Sequence, residues 1–422
     1  MKQVHDDSKL VPLQEEEYHN FAKNHPNANF LNSIYAGRRM SQNGWKVEYL
    51  GLKNEGKLNS AVMLASRSVH VGTYFYAPRG FLVNYEDEKQ VESFAVLLKN
   101  YMKQQHGVMC KMDPYVLYQK RDLNGEPVSG YVKNDALIQQ LESLEYHHQG
   151  LSIGYSSSQC RWMSVLDLQG KTMETIFKNC SYKTRQDIRK AQKSYLHVRP
   201  LKYEELTIMA NMEASSAQHQ QFTPMSLSYF QQIYQVYGDC CKVLYAYLDV
   251  GEYAEELKKQ KQKNNQEIAK LKLSLEDTNQ SEKKMKRLKE AEIVKRSLLK
   301  KEAELEEIRK NYDKELPLAS ALFIKYGNEV VYLDGGSAFE YRHLKGSYAI
   351  QWMMLQEAVE EHYSYYNFYG ISGYFQSDEQ GFGVFDYKRG FDAEVYELVG
   401  DFILTLSKPR AFLYRLIKKM RG

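Results

Sequence analysis

Apolar residues recur at alternating intervals of three and four through a highly charged segment, from Glu252 to Glu315, that contains neither Pro nor Gly. This spacing is the heptad pattern of a coiled coil. Residues 277–281 in its middle are turn-forming, so the segment is predicted to form two antiparallel helices. The predicted seam comprises Leu257, Lys261, Asn264, Ile268, Leu271, Leu275, Ala291, Val294, Leu298, Lys301, Leu305, Ile308 and Tyr312.

Period-two hydrophobic runs lie on both sides of this segment and predict strands at 242–248 and 318–324. The hairpin is therefore expected to be inserted between two strands of one domain. The order strand, turn, strand, aromatic strand, loop, helix, strand occurs in 46–112 and again, with the hairpin omitted, in 242–369. This repetition predicts an internal duplication of an α/β unit built on a mixed sheet.

Three further segments have patterns that leave alternatives open. A helix predicted at 182–193 carries a basic face, which suits phosphate or lipid headgroups as well as it suits solvent. Gly381-Phe382-Gly383 is followed by residues with a strand-like pattern. The tail 408–421 alternates basic and apolar residues, so it predicts either a helix on an anionic membrane or, as we favour, a terminal helix packed on the first domain.

Composition adds limits on partners and compartment. The chain has 422 residues, 43% of them hydrophobic, and a net charge of only +4, so nucleic-acid contacts are expected to be local. Its five cysteines show no metal-binding spacing. The first 20 residues are polar, and no apolar run reaches the length of a membrane span. These features predict a cytoplasmic protein, or one bound to the inner surface of the membrane, without a metal.

The duplicated unit resembles the GNAT-like N-acetyltransferase fold. Ordinary members hold the CoA pyrophosphate on a glycine-rich loop before a helix. The corresponding loops here, 78–83 and 335–340, lack that motif, which disfavours an acyl-CoA donor. Serine and zinc hydrolase motifs are also absent.

Five segments together resemble the FemABX family of peptidoglycan aminoacyltransferases, in particular the FemA-like and MurM-like members that carry a coiled-coil arm. The segments are Tyr76–Gly80, Met112–Pro114, Ser181–Ala191, Asn367–Gly373 and Tyr387–Phe391. The resemblance covers nearly the whole chain, including the arm. It implies two tandem GNAT-like domains of the α/β (α+β) class with the helical hairpin inserted in the second.

The implied domain bounds follow this organisation. The first domain is 1–154, completed by a C-terminal segment 395–422; the second is 155–251 with 316–394; the arm is 252–315. The implied reaction moves an amino acid (Gly, Ala or Ser) from aminoacyl-tRNA to the stem-peptide lysine or growing cross-bridge of a precursor, lipid II or UDP-MurNAc-pentapeptide. Aminoacyl-tRNA is then the co-substrate, and no separate cofactor is expected.

The resemblance also implies roles for individual residues. Asp113, in the family's Asp-Pro position, would orient or deprotonate the acceptor amine; Lys388, in the Lys-x-Gly-Phe motif, would stabilise negative charge near the tRNA 3′ end. An ordinary turn Asp and a strand-edge Lys are the structural alternatives. Further substrate-binding candidates are Arg38, Arg39, His219 and Tyr387. Candidates for tRNA binding on the arm are Lys258, Lys259, Lys283, Lys284 and Arg287.

Departures from the family pattern keep other functions open. Arg38 and Arg39 both fall near a family lysine that holds the precursor's diphosphate, and His219 falls near a family arginine. Tyr387 replaces a Phe. The alternatives are an acyl-CoA-dependent acyltransferase and a non-catalytic paralogue resembling an immunity factor. The arm is alternatively a spacer or a dimerisation element, pairing two copies or this chain with another Fem protein.

Overall fold

The computed structural model describes residues 9–155, 159–193, 195–220, 222–276 and 282–421. The strands are β1 (Val11–Pro12), β2 (Lys46–Asn54), β3 (Lys57–Val69), β4 (Gly72–Ala77), β5 (Gly107–Met112), β6 (Leu117–Arg121), β7 (Tyr146–His148), β8 (Trp162–Asp167), β9 (Leu196–Pro200), β10 (Cys241–Asp249), β11 (Glu315–Tyr326), β12 (Glu329–Ser337), β13 (Tyr365–Ile371), β14 (Glu394–Leu398) and β15 (Phe402–Thr405). The helices are α1 (Glu15–Ala22), α2 (Ile34–Gln42), α3 (Glu88–Gln104), α4 (Asp135–Ser143), α5 (Met173–Asn179), α6 (Tyr182–Ala191), α7 (Leu206–Gln220), α8 (Leu227–Tyr237), α9 (Val250–Glu276), α10 (Glu282–Asn311), α11 (Gly346–Glu360), α12 (Phe382–Arg389) and α13 (Lys408–Arg421).

The first sheet has the strand order β1-β2-β3-β4-β5-β15-β7. Its strands pair antiparallel except β4 and β5, which are parallel and joined through α3. Val91, Phe94 and Leu98 repeat at helical spacing on α3 and are buried against the sheet. Their burial holds α3 against the sheet. The chain then continues into β5, and Asp113 is the first residue after that strand.

The second sheet has the order β6-β14-β8-β13-β12-β11-β10-β9 and a parallel pair, β12 with β13. Alternate residues of β11 face opposite sides: Phe323 packs with α11, whereas Leu322 and Ile324 pack with α7 and α8. Helices thus cover both faces of this sheet. The two mixed sheets confirm the predicted fold class.

The two sheets exchange strands. In sequence β6 lies between β5 and β7 of the first sheet, but it pairs with β14 in the second sheet; β15 returns to the first sheet and pairs with both β5 and β7. The predicted first-domain range 1–154 therefore includes a strand of the second sheet, and the segment 395–422 begins inside β14. The domain bounds stay a prediction, and the crossing strands join the two halves of the molecule.

The hairpin forms between β10 and β11 as expected, from α9 and α10. Buried residues on α10 recur every seven positions, at Ala291, Leu298 and Leu305, and the seam residue Asn264 of α9 donates Nδ2 to Ala291 O at 3.1 Å. The predicted seam residue Ile308 is also buried, but the expectation for Val294 is wrong, because Val294 is 47% exposed. The predicted turn at 277–281 lies outside the described residues.

The strand-like pattern after Gly383 is also misleading, because residues 382–389 form helix α12. Phe385 and Lys388, three positions apart, face the interior, and Arg389 pairs with Asp386 on the outer side at 2.8 Å. Lys388 is therefore a buried helical lysine and not a strand-edge lysine.

The C-terminal helix α13 packs one side on the first sheet, where Ala411 is buried and Tyr414 lies against Tyr74. Its other side exposes apolar residues, namely Phe412, Leu413, Leu416 and Met420. Of the helices among the described residues, none is long and apolar enough to cross a membrane.

Candidate active site

Asp113 directly follows β5 and is 3% exposed. Its Oδ1 accepts a hydrogen bond from Arg79 N at 3.3 Å, and its Oδ2 lies 3.4 Å from Arg79 Nη1. Burial raises the pKa of Asp113 to about 6, and the Arg79 guanidinium opposes this rise. A carboxyl with this pKa exchanges protons near neutral pH, as a catalytic acid or base must.

Arg79 is itself an unusual residue. It is buried, and it has a positive φ of 57°, which places its backbone N–H on the Asp113 carboxylate. Its Nε and Nη2 have no hydrogen-bond partner among the described residues. The buried guanidinium therefore keeps donors free beside Asp113.

Lys388 reaches the same region from α12. Its Nζ donates to Gly370 O at 2.7 Å. Burial lowers the pKa of Lys388 to about 7. The amine is thus poised between its neutral and charged forms at neutral pH, which an exposed lysine is not.

Cys160 connects the two candidate catalytic residues. Arg79 Nη1 lies 3.4 Å from Cys160 O, and the Cys160 side chain packs against Gly370, where a Cβ would lie 2.3 Å from Sγ. Burial raises the pKa of the Cys160 thiol, while Arg79 and Lys388 both lower it. A chain of contacts through Arg79, Cys160 and Gly370 therefore links Asp113 to Lys388, which is far from it in sequence. These five residues are hereafter called the reaction centre.

A second buried carboxylate, Glu329, lies beside the reaction centre. It accepts hydrogen bonds from Asn29 Nδ2 (3.1 Å), Tyr115 OH (2.9 Å) and Asn367 Nδ2 (3.0 Å). Arg79 also lies over the Tyr115 ring, with its Cζ 5.6 Å from the centroid. This Glu329 network ties residues near both sheets together where the reaction centre forms.

The structure separates the two arginine candidates. Arg38 is exposed and pairs with Glu15 on α1. Arg39 is half-buried, lies over the Tyr229 ring at 4.9 Å, and donates Nε to Gln232 Oε1 at 3.1 Å. Because Tyr229 and Gln232 belong to α8, only Arg39 of these two faces the junction with the second sheet.

The other two substrate-binding candidates lie apart from the reaction centre. His219, near the end of α7, is exposed and stacks on Phe339. Tyr387 packs against Tyr348 and Phe391 in the core of the second sheet. Its position on α12 turns it away from the side that carries Lys388.

The candidate tRNA-binding residues on the arm differ in their exposure and in whether they already contact other residues. Exposed side chains are found at Lys258, Lys259, Lys283 and Arg287. Lys284 is half-buried and donates Nζ to Ser274 O at 3.2 Å, and Arg287 lies 3.6 Å from Glu267. A phosphate would therefore meet Lys258, Lys259 and Lys283 most readily.

Sequence reasoning assigned no role to Arg79 or Cys160. The sequence does carry a signal for Arg79, because this residue lies in the segment Tyr76–Gly80, at the end of a predicted strand. Cys160 had no sequence signal, since its place depends on contacts with Arg79 and Gly370. No group of three or more His, Cys, Asp or Glu residues suited to a metal occurs in the described part of the chain.

The two mixed sheets, each with its own parallel strand pair, form a tandem GNAT-like fold. The fold is shared with the solved structure of FemX, which is 22% identical and superposes with a TM-score of 0.77 over 97% of this chain and 99% of that one.

The family follows from sequence comparison. The FemAB family model matches residues 13–419. Aminoacyltransferase FemA of Staphylococcus epidermidis is 32% identical over 381 residues, 90% of this chain and 91% of the relative. Aminoacyltransferase FemA of Staphylococcus aureus is 30% identical over 419 residues, 98% and 99% of the two chains. The chain belongs to the FemAB family and is an aminoacyltransferase.

Proposed function

We propose that the protein transfers Gly, Ala or Ser from aminoacyl-tRNA to an amine of a peptidoglycan precursor, lipid II or its UDP-linked form. The acceptor is the stem-peptide lysine or the end of the growing cross-bridge. The observation that carries this proposal is that buried Asp113 and buried Lys388 are linked through Arg79, Cys160 and Gly370, and that their pKa values are about 6 and about 7. An acid and a base are thereby available near neutral pH.

The proposed reaction needs no covalent enzyme intermediate. Asp113, held by Arg79, orients the acceptor amine and takes its proton as the N–C bond forms at the ester carbonyl. Protonated Lys388 stabilises the oxyanion and gives a proton to the tRNA 3′-oxygen as the C–O bond breaks. The products are the amide and the deacylated tRNA.

Acceptor recognition is assigned to the junction around α2 and α8. Arg39 is the proposed ligand of the precursor's diphosphate because it faces this junction, and Arg38 remains a weaker candidate. His219 and Tyr387 are proposed to act only indirectly, through Phe339 and Tyr348. A KM for the acceptor that rises in Arg38→Gln but not in Arg39→Gln would contradict this assignment.

The arm is proposed to contact the tRNA through Lys258, Lys259 and Lys283. Neutralised phosphates release counterions, so affinity for tRNA should fall with salt. Replacing these three lysines with Gln should flatten that salt dependence. An unchanged slope would instead favour a spacer or an element that pairs two copies or two Fem proteins.

Membrane-surface association is proposed for α13. Its exposed apolar residues are flanked by basic Arg410, Arg415, Lys418 and Lys419, the arrangement of an interfacial helix. Such association would bring the enzyme to a lipid-linked acceptor at the cytoplasmic face. Equal sedimentation with anionic and with neutral vesicles would argue against it.

The test of the main proposal is transfer of labelled amino acid by the purified full chain. Gly-, Ala- and Ser-tRNA are each supplied with a lysine-containing precursor, either unextended or already carrying one bridge residue. We expect label in the precursor with one donor and none when the precursor is omitted. No transfer with any donor and acceptor would refute the proposal, and transfer from labelled acetyl-CoA would favour the acyl-CoA alternative.

A further inference from the structure

The solvent side of α6 carries three cations and an aromatic ring that have no part in the reaction centre. Its inner side is formed by Thr184, Asp187, Ile188 and Ala191, which recur at helical spacing and are buried. The opposite side, hereafter the α6 face, consists of five exposed residues: Tyr182, Lys183, Gln186, Arg189 and Lys190.

The positive charge of the α6 face is poorly balanced by acids. The one acidic residue of α6, Asp187, is buried on the inner side, where its Oδ2 lies 3.1 Å from Lys345 Nζ. Lys190 reaches Asp187 only loosely, at 3.6 Å, and in the described part of the chain Lys183 and Arg189 form no ion pair within 4.0 Å. The α6 face therefore offers its cations to an anionic ligand.

Tyr182 adds an aromatic ring to this basic surface. Its side chain is 68% exposed, and its OH accepts a hydrogen bond from Gln186 Nε2 at 2.6 Å. Rings among cations are typical of sites for single-stranded nucleic acid, where bases stack on the rings and the cations hold phosphates. A helix that lies on a membrane instead inserts an apolar side, and the apolar side of α6 is buried. The α6 face therefore suits RNA better than a lipid surface.

The N-terminal end of α6 lies against the end of α12, the helix that carries Lys388. Ser181 N donates to Gly390 O at 2.9 Å. The contact is close, because a Cβ at Gly390 would lie 2.3 Å from Thr184 Oγ1. Since Gly390 is two residues after Lys388, α6 begins beside the segment that holds this catalytic candidate.

The C-terminal end of α6 leads to the base of the arm. Tyr195, four residues after α6, packs on Tyr253 of α9 with ring centroids 4.8 Å apart, and Tyr195 O accepts a hydrogen bond from Asp249 N at 2.9 Å. The helix has 10 residues and is therefore about 15 Å long. The α6 face thus lies between the base of the arm and the end of α12.

We propose that the α6 face binds the 3′ end of the tRNA, with Lys183 and Arg189 on backbone phosphates and Tyr182 stacked on a base of the unpaired 3′ nucleotides. This inference rests on the proposed function, in which the arm contacts the tRNA and Lys388 acts at its 3′ end. An RNA that reaches both places passes along α6. The α6 face then guides the aminoacyl ester towards the reaction centre.

The experiment measures equilibrium binding of deacylated tRNA to the full chain at several salt concentrations, with no turnover. A second ligand is the same tRNA without its unpaired 3′ nucleotides. The variants are Tyr182→Ala and the charge variant Lys183→Gln/Arg189→Gln. The matched control is Lys89→Gln/Lys103→Gln, which removes two exposed cations from α3 on the first sheet.

We expect the charge variant to bind intact tRNA about tenfold more weakly. The slope of log K against log salt should become shallower by roughly 1.4, because each phosphate contact on a single strand contributes about 0.7. Tyr182→Ala should bind intact tRNA about fivefold more weakly, but should bind the shortened tRNA as the wild type does. The control should bind both ligands as the wild type does, and thermal unfolding checks that every variant is folded.

Wild-type affinity for intact tRNA in both folded variants would overturn the proposal, and so would an equal loss of affinity in the control. Unchanged tRNA binding with weaker sedimentation on phosphatidylglycerol vesicles would overturn it in favour of a membrane contact. Failure of the proposed function is a different result, namely absent transfer by a wild type that binds tRNA.

Discussion

Asp113 and Glu329 are both buried carboxylates at the junction of the two sheets, yet their surroundings differ. Glu329 receives hydrogen bonds from three neutral side chains, Asn29, Tyr115 and Asn367. Asp113 receives one backbone N–H and a loosely placed guanidinium, and its Oδ2 has no hydrogen-bond partner among the described residues.

The difference teaches how to separate a structural carboxylate from a catalytic one. Burial raises the pKa of both groups. In Glu329 the hydrogen-bond donors use both carboxylate oxygens, so the group holds the fold and has little left for a ligand. Asp113 keeps an oxygen for a substrate proton and a cation, Arg79, to hold its charge.

Replacing Asp113 with Asn tests the catalytic half of this comparison and has the largest expected effect. Loss of a positioned base should lower kcat/KM for amino-acid transfer by about 10²–10⁴-fold. The melting temperature should fall, because the buried Arg79 guanidinium loses its counter-charge. A Glu329→Gln variant is the matched control, and an equal loss of transfer in both variants would erase the distinction.

Replacing Lys388 with Met should lower kcat/KM by about 10²-fold, because the oxyanion loses its charged donor. The variant Lys388→Arg tests the same role through the pH dependence of transfer activity. Lys388 must be protonated to act, and its lowered pKa of about 7 predicts that wild-type activity falls as pH rises through 7. An arginine stays charged, so the ratio of Arg variant to wild-type activity should increase above pH 7. A constant ratio from pH 6 to 8 would exclude Lys388 as the titrating group.

Much of the fold was predictable because local patterns agree with tertiary contacts. The strands predicted at 242–248 and 318–324 lie within β10 and β11, which pair with each other where the hairpin is inserted. The segment after Gly383 misled because its aromatic residues alternate like a strand. There the packing of Phe385 and Lys388 at helical spacing decides the structure, and spacing within eight residues is too short to show it.

The candidate site was predictable only in part, for the same physical reason. Asp113 and Lys388 were named through motifs, but their proximity depends on how two sheets meet. Cys160 had no signal, since its place depends on its contacts with Arg79 and Gly370. Pairings made by tertiary contact leave no periodic trace in a single sequence.

Glu329→Gln tests the structural half of the comparison. The new amide would place N–H donors against the donors of Asn29, Tyr115 or Asn367, leaving buried groups unsatisfied. We expect a loss of about 2 kcal/mol in the free energy of unfolding, measured by urea denaturation. Transfer activity below the melting temperature should stay within about threefold of wild type. Unaltered stability would show that the network is not needed to join the sheets.

Tyr115→Phe has the smallest expected effect and tests whether the two carboxylate sites are independent. The change removes the hydrogen bond to Glu329 Oε2 but keeps the ring beneath Arg79. We therefore expect about 1 kcal/mol lower stability and the same pH profile of transfer, since Asp113 still has its guanidinium partner. The double variant Tyr115→Phe/Asp113→Asn should show additive changes in stability and in activity. If Tyr115→Phe alone moved the acidic limb of the profile, the Glu329 network would be setting the charge of Asp113, and the division between a structural and a catalytic carboxylate would fail.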